Sequence, residues 1–181
     1  MTDERSGPAT VTLRPATQPA RRAVAALAVR ADQRHLVAAN ADALAEAAAD
    51  PRARAWTVLA GEVPVGLAVL RAEPDTGEVH LRSLMIDATH QGCGYGRAAL
   101  ERIAGRLGAR AGVRVLVTAC VPGEGGPLGF YTALGFERDG TLADGELVLR
   151  LPLGPVGAGG KGVTRRRAST GHPARADRRT E

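Results

Sequence analysis

The chain reads as a single α/β domain, a mixed central β-sheet flanked by helices, and three observations carry that reading. Residues 78–119 run from an apolar strand through a glycine-rich turn into an amphipathic helix and on to a second apolar strand, the order of a parallel crossover unit. Residues 55–70 hold two apolar runs about Gly61-Glu62, the pattern of an antiparallel hairpin. One sheet containing both is mixed. A length of 181 residues with 44% apolar side chains suits one such domain, and with aromatics at 3% its core must rest on Val, Leu, Ile and Ala.

In chain order, residues 1–9 are polar and are expected to be disordered. Val11-Thr12-Leu13-Arg14 alternates as a strand does, and Pro15 ends it. Gln18–Arg30 predicts a helix with Pro19 near its first turn. Asn40 is placed to cap an alanine-rich helix over Ala41–Ala49, which Asp50-Pro51 stops. Ala55–Ala60 and Val63–Leu70 are the hairpin strands. Glu78–Ile86 follows as a strand with His80 and Arg82 on one face and Val79 and Leu81 on the other. The helix expected over Gly94–Ala109 aligns Leu100, Ile103, Ala104 and Leu107 on one stripe and lets Arg97 pair with Glu101 on its outer face. Val113–Ala119, apolar on both faces, predicts a buried parallel strand. Pro127–Leu134 is a short helix ended by Gly135, and Glu146–Leu151 is the last strand. Residues 154–181 are glycine- and arginine-rich and are expected to form a disordered tail, so the domain spans residues 10–153.

The net charge of +5 belongs to that tail. Residues 154–181 hold seven basic and two acidic residues of the chain's 24 and 19, which leaves residues 1–153 neutral. This excludes a basic nucleic-acid-binding body and confines any such contact to weak docking through the tail. No stretch approaches the ~20 apolar residues of a membrane span, and the N-terminus lacks an apolar signal segment. Cys93 and Cys120 show no disulfide framework, and His35, His80, His90 and His172 show no ligand spacing with them, so no metal is expected. A cytoplasmic location without metal is the expectation.

The turn Gln91-Gly92-Cys93-Gly94-Tyr95-Gly96-Arg97 carries the chemistry. Alternating glycines let backbone N–H groups converge, and the helix that starts there adds unpaired donors and its dipole, a combination suited to phosphate. A Walker loop requires a lysine after the turn, and Lys161 is the chain's sole lysine. A dinucleotide fingerprint requires an acidic residue ending the next strand, and that strand ends Val117-Thr118-Ala119. What remains is a Q-x-x-G-x-G turn.

With this turn, and with Phe130-Tyr131-Thr132-Ala133-Leu134-Gly135-Phe136 about 35 residues further on, the sequence resembles the GCN5-related N-acetyltransferase (GNAT) superfamily. The resemblance implies the GNAT fold and acetyl transfer from acetyl-CoA to a primary amine by direct attack in a ternary complex. By it, Gln91, Gly92, Cys93, Gly94, Tyr95, Gly96 and Arg97 would grip the pyrophosphate, and Leu84, Met85 and Ile86 would run beside the pantetheine arm. A backbone N–H near Met85 would polarise the thioester carbonyl. Tyr131 would be the general acid and would also contact the cofactor. Some relatives carry a glutamate base twelve residues before the tyrosine, where this chain has Ala119. Many carry an asparagine seven residues before it, where this chain has Glu124. Glu124 either replaces that contact, takes a proton through water, or caps the following helix. Cys93 has no required step.

The N-terminal half, from Gln33-Arg34-His35-Leu36-Val37-Ala38-Ala39-Asn40 through Ala43-Leu44-Ala45-Glu46-Ala47, is similar to bacterial spermine/spermidine (diamine) acetyltransferases, as are Arg82–Asp87 and Asp144-Gly145-Glu146. That likeness implies a polyamine acceptor. A polycation calls for carboxylates near the acceptor cleft, and Asp32, Glu46, Glu78, Asp144 and Glu146 are the candidates. Other acceptors (an aminoglycoside, an amino acid, a protein N-terminus) and a non-catalytic acyl-CoA-binding module stay open at this level. So does a homodimer formed through the sheet edges.

Overall fold

The computed structural model describes residues 10–123 and 125–154. The expected N-terminal and C-terminal disorder, and the site assignment of Glu124, fall outside the described residues.

Among the described residues seven strands form one sheet in the order β1-β2-β3-β4-β5-β7-β6. They are β1 (Val11–Pro15), β2 (Ala53–Ala60), β3 (Val63–Glu73), β4 (Glu78–Ile86), β5 (Val115–Cys120), β6 (Glu137–Thr141) and β7 (Leu147–Pro152). Among these strands the β4–β5 pair is parallel and the other five pairs are antiparallel. The helices are α1 (Ala20–Ala25), α2 (Asn40–Ala49), α3 (Tyr95–Gly108) and α4 (Leu128–Thr132), with single 3₁₀ turns at Ala31–Gln33 and Ala88–His90. The sheet is mixed and flanked by helices, as the sequence predicts.

Helix α3 is the crossover between the parallel strands, and it buries Ala99, Leu100, Ile103 and Leu107. These pack with Val58, Val65, Leu81, Leu116 and Leu149 on one face of the sheet, where α4 adds Tyr131. The opposite face receives α1 and α2: Val24, Ala43 and Leu44 meet Leu67, Val69 and Met85. Each face is therefore covered by its own apolar layer, which removes most of the sheet from water.

Two local expectations are corrected, and one strand is added. The helix expected over residues 18–30 is confined to Ala20–Ala25, because tertiary contacts claim the residues after it. Asn40 Nδ2 donates to Val24 O at 2.8 Å and Leu27 O at 3.3 Å, and Asp87 Oδ1 accepts from Ala28 N at 3.1 Å. Asn40 is correspondingly not the cap of α2: it lies inside the helix, buried, with Ala39 at the cap position and no side-chain cap bond. The exposed edge strand β6, Glu-Arg-Asp-Gly-Thr, has no apolar alternation from which it could be foreseen, and its pairing to β7 supplies the order.

Candidate active site

The functional geometry begins where β4 and β5 part. Their parallel register runs from Glu78↔Val115 to Leu81↔Thr118 and then stops, although β4 continues to Ile86 and β5 to Cys120. On its other side β4 stays paired with β3, through Leu70↔Leu81 and then Val69↔Ser83. Arg82 is thus the extra residue of a β-bulge, which bends β4 at the point of separation. The result is a fork in which β4 from Ser83 to Ile86 is no longer paired with β5. Thr118 Oγ1 closes its base by donating to Leu81 O at 3.1 Å.

The bulge also resets which backbone groups face the opening. Asp87 N donates to Val65 O on β3 at 2.9 Å, and the Met85 carbonyl is directed at Gly66 on β3. Alternation along the strand then turns the N–H groups of Leu84 and Ile86 into the fork. The expectation for Met85 is corrected here: its polar backbone faces β3, and its side chain is buried beneath α1 and α2 with Asn40 Nδ2 3.3 Å from its sulfur.

Beyond β4, the turn wraps toward α3. Gly92 and Gly94 adopt φ of +79° and +78°, a left-handed conformation that favours glycine. Gly94 is the α3 cap residue and supplies no side-chain bond, while Ala98 N already donates to Gly94 O at 3.0 Å. The first-turn N–H groups of Tyr95, Gly96 and Arg97 have no intrahelical acceptor. They point outward at the positive end of a 14-residue helix, which fits a bound pyrophosphate. Gln91 faces the other way, Nε2 donating to Ile86 O at 3.0 Å and Gln33 Oε1 at 2.8 Å, so its side chain braces the turn. Cys93 is exposed on the turn, and Arg97 is exposed beside Glu101 at 3.5 Å, the pair expected from the sequence.

Tyr131 approaches the base of the fork from the α3/α4 side. It is 6% exposed and holds edge contacts to Phe130 and Phe136, with ring centroids 5.2 and 5.3 Å away. Burial pushes its hydroxyl up to about 12, against a hydrogen bond with Thr118 that works in the opposite direction. The phenol therefore stays protonated throughout the physiological range. Cys120 beside it is raised by burial first and by Glu146 second.

One continuous opening runs past the fork, from the glycine turn, the start of α3 and Tyr131 to a groove end lined by residues of α2, β4, β7 and the β6–β7 turn. Four of the five expected acidic residues, Glu46, Glu78, Asp144 and Glu146, line it, and Asp32 does not. Asp32 is exposed next to Arg30 at 3.4 Å. Glu78 is committed to Arg150 and lies 3.4 Å from His80 Nε2. Asp144 accepts from Glu146 N at 3.2 Å. The sequence reading missed Asp50, Glu73, Asp75 and Asp139, which also line the groove; scattered over loops and strands, they share no spacing that could reveal them. Arg52 and Arg71 neutralise Asp50 and Glu73, and Arg150 also reaches Asp139. Among the described residues Glu46, Asp75, Asp144 and Glu146 form no side-chain ion pair. Ser83 Oγ is buried on the same side without a hydrogen-bond partner among the described residues.

Among the described residues no cluster of His, Cys, Asp and Glu could hold a metal, and no helix is long and apolar enough to cross a membrane. A comparison with curated proteins finds no match. The Acetyltransferase (GNAT) family profile matches residues 22–136. Among solved structures, an acetyltransferase from Thermus thermophilus is 26% identical, with a TM-score of 0.59 over 80% of this chain and 97% of that one. The ribosomal-protein-S18-alanine N-acetyltransferase from Escherichia coli is 18% identical, with a TM-score of 0.62 over 81% and 96%. Spermidine N-acetyltransferase from Vibrio cholerae, solved with CoA and spermine, is 14% identical, with a TM-score of 0.66 over 80% and 96%. The last two likenesses concern the fold alone. The family match covers most of the chain and spans the fork, the turn and Tyr131: the protein belongs to the GNAT family and is an N-acetyltransferase.

Proposed function

We propose that the protein transfers the acetyl group of acetyl-CoA to a cationic primary amine that enters through the acidic groove, with a polyamine as the best-fitting class. The observation that carries this reading is the fork. It presents a strand edge that β5 no longer covers, and the glycine turn and the carboxylates of the groove line the same opening. The free N–H groups of Tyr95, Gly96 and Arg97 hold the pyrophosphate, and the β4 edge lines the pantetheine arm. Leu84 and Ile86 N–H groups are aimed at the thioester oxygen, where they stabilise charge that develops on attack. Holding both reactants in one cleft supplies much of the rate.

Tyr131 reaches the leaving sulfur from the α4 side. A phenol near 12 facing a thiol near 8.5 makes complete proton transfer uphill by roughly 5 kcal/mol. Tyr131 thus acts as a hydrogen-bond donor to the departing thiolate, and solvent supplies the final proton. The polyamine class rests on Glu46, Asp75, Asp144 and Glu146, carboxylates that no basic side chain among the described residues neutralises and that are spread along one groove.

The test is mass-spectrometric detection of acetylated product from acetyl-CoA and a panel led by spermidine and spermine. The panel also includes an aminoglycoside, free amino acids and a peptide with a free N-terminus. Saturable acetylation of polyamines, weakened by Glu146→Gln, supports the whole reading. Preference for another amine retains the transferase geometry and discards the polyamine class.

A further inference from the structure

Deprotonation of the acceptor amine needs a group on the groove side of the fork, opposite Tyr131. On β5 the residue in that position is Ala119, which is exposed, has no titratable side chain and pairs with Val148 on β7. One step back on the same face, Val117 pairs with His80 of β4. His80 therefore stands diagonal to Ala119 on the neighbouring strand, just before the bulge that opens the fork. Past the bulge, Ser83 and Met85 occupy the same face, so His80 and the buried Ser83 hydroxyl flank the base of the fork on the acceptor side. Glu78 Oε2 lies 3.4 Å from His80 Nε2, and its other oxygen is held by Arg150. A proton on Nε2 directed at Glu78 leaves Nδ1 as the acceptor.

We propose that His80, oriented by Glu78, is the general base that takes the proton of the acceptor ammonium through one water. The proposal rests on the amine-transfer reading above. The ammonium gives one proton to Nδ1, and the freed lone pair forms the C–N bond to the acetyl carbon. As the C–S bond breaks, the electron pair leaves on sulfur. The nitrogen's second proton and the thiolate's need for one cancel, and His80 returns its proton to the groove solvent, the single proton released per turnover.

Burial keeps His80 below its ordinary value, outweighing Glu78, while Arg82 on its own strand and Arg71 on β3 act in the same direction as burial. Glu46 on α2, Asp139 on β6, Asp144 and Glu146 in the β6–β7 turn and Arg150 on β7 also line that opening. The imidazole is therefore neutral at pH 7 and competent to accept a proton.

The experiment compares the wild type with His80→Gln and His80→Asn, using the panel amine that the wild type acetylates, across a range of about pH 5.5–9.5 chosen to bracket the ordinary histidine pKa. Acetyl-CoA affinity and thermal midpoint serve as controls for the fold. The wild type should show kcat/KM that levels off above a limb lying below pH ~6.5. Both variants should lose about 10²-fold at pH 7, keep acetyl-CoA affinity, and rise about tenfold per pH unit toward the amine's own pKa, because only amine already neutral then reacts. A merely structural histidine would lower the rate without this change of slope. Variants that keep the wild-type profile overturn the His80 assignment alone. A wild type that acetylates no amine overturns the amine-transfer reading, and the assignment falls with it.

Discussion

Gly66→Ala isolates how β3 fixes the fork. Gly66 pairs with Ile86 at the end of β4, next to the β3 irregularity opposite Val58/Leu59. Its φ lies outside the left-handed region, so alanine is conformationally acceptable and contributes about 0.5–1 kcal/mol by strand entropy. The added Cβ, however, overlaps the Met85 carbonyl oxygen and falls 2.8 Å from Ile86 Cδ1 and 3.4 Å from Ile86 Cα. The Ile86 methyl can rotate aside. The carbonyl cannot, because it belongs to the paired backbone, so β4 must move by on the order of 1 Å to regain van der Waals separation. Overpacking of this kind costs about 1–3 kcal/mol of stability. The larger effect is catalytic: the shift displaces the N–H groups of Leu84 and Ile86, and misplacement on this scale costs about 10²-fold in rate. The glycine turn proposed to hold the pyrophosphate lies beyond the perturbation, so acetyl-CoA affinity should fall by much less than kcat. Initial rates, acetyl-CoA titration and thermal denaturation of the variant separate the three quantities. Wild-type kcat with an unchanged melting temperature would refute the claim that contact with β3 positions the open edge.

Tyr131→Phe should lower kcat by about 10- to 10²-fold while leaving acetyl-CoA affinity in place, measured by initial rates and calorimetry. With its hydroxyl near 12, Tyr131 should give the wild-type rate profile no alkaline limb around the ordinary tyrosine pKa of ~10; such a limb, lost in the variant, would contradict the buried geometry. Asp87→Ala removes bonds to Ala28 N, Thr89 N and Thr89 Oγ1 and should cost about 1–2 kcal/mol in denaturant melts at neutral pH. The Thr89 hydroxyl, helped by these backbone donors, holds the Asp87 carboxyl below its ordinary value. Its stabilisation is thus full above the unfolded carboxylate pKa and fades as pH falls through the depressed one, so the gap between wild type and variant should close in acid. Asn40→Ala removes the side-chain donor to Leu27 O and one of the donors to Val24 O, which keeps Leu27 N at 3.2 Å, and should cost about 1–2 kcal/mol by thermal denaturation.

Much of this protein was legible in its sequence because the signals are local. The strand–turn–helix at residues 84–100 depends on glycine conformation and helix-end donors, both fixed by residue type and spacing, so the turn appears where expected. The α3 stripe and the parallel strand β5 follow from periodicity, which burial enforces on each element separately. The motif singles out Tyr131 in the sequence, while its buried, protonated state comes from its packing in the fold against Phe130 and Phe136.

What the chain order could not decide is the phase of β4. One bulge residue, Arg82, turns Leu84 and Ile86 instead of Met85 into the fork, and a bulge is created by the mismatch between two paired strands. Asn40 illustrates the same limit: its type suits a helix cap, yet the carbonyls of Val24 and Leu27, 16 and 13 residues away, outcompete that role. The groove wall, where His80, Glu78 and Arg150 meet from two strands 72 residues apart, exists only once β5 separates β4 from β7. Local chemistry thus set the glycine turn, while long-range strand register set which backbone donors and which titratable side chains surround the fork.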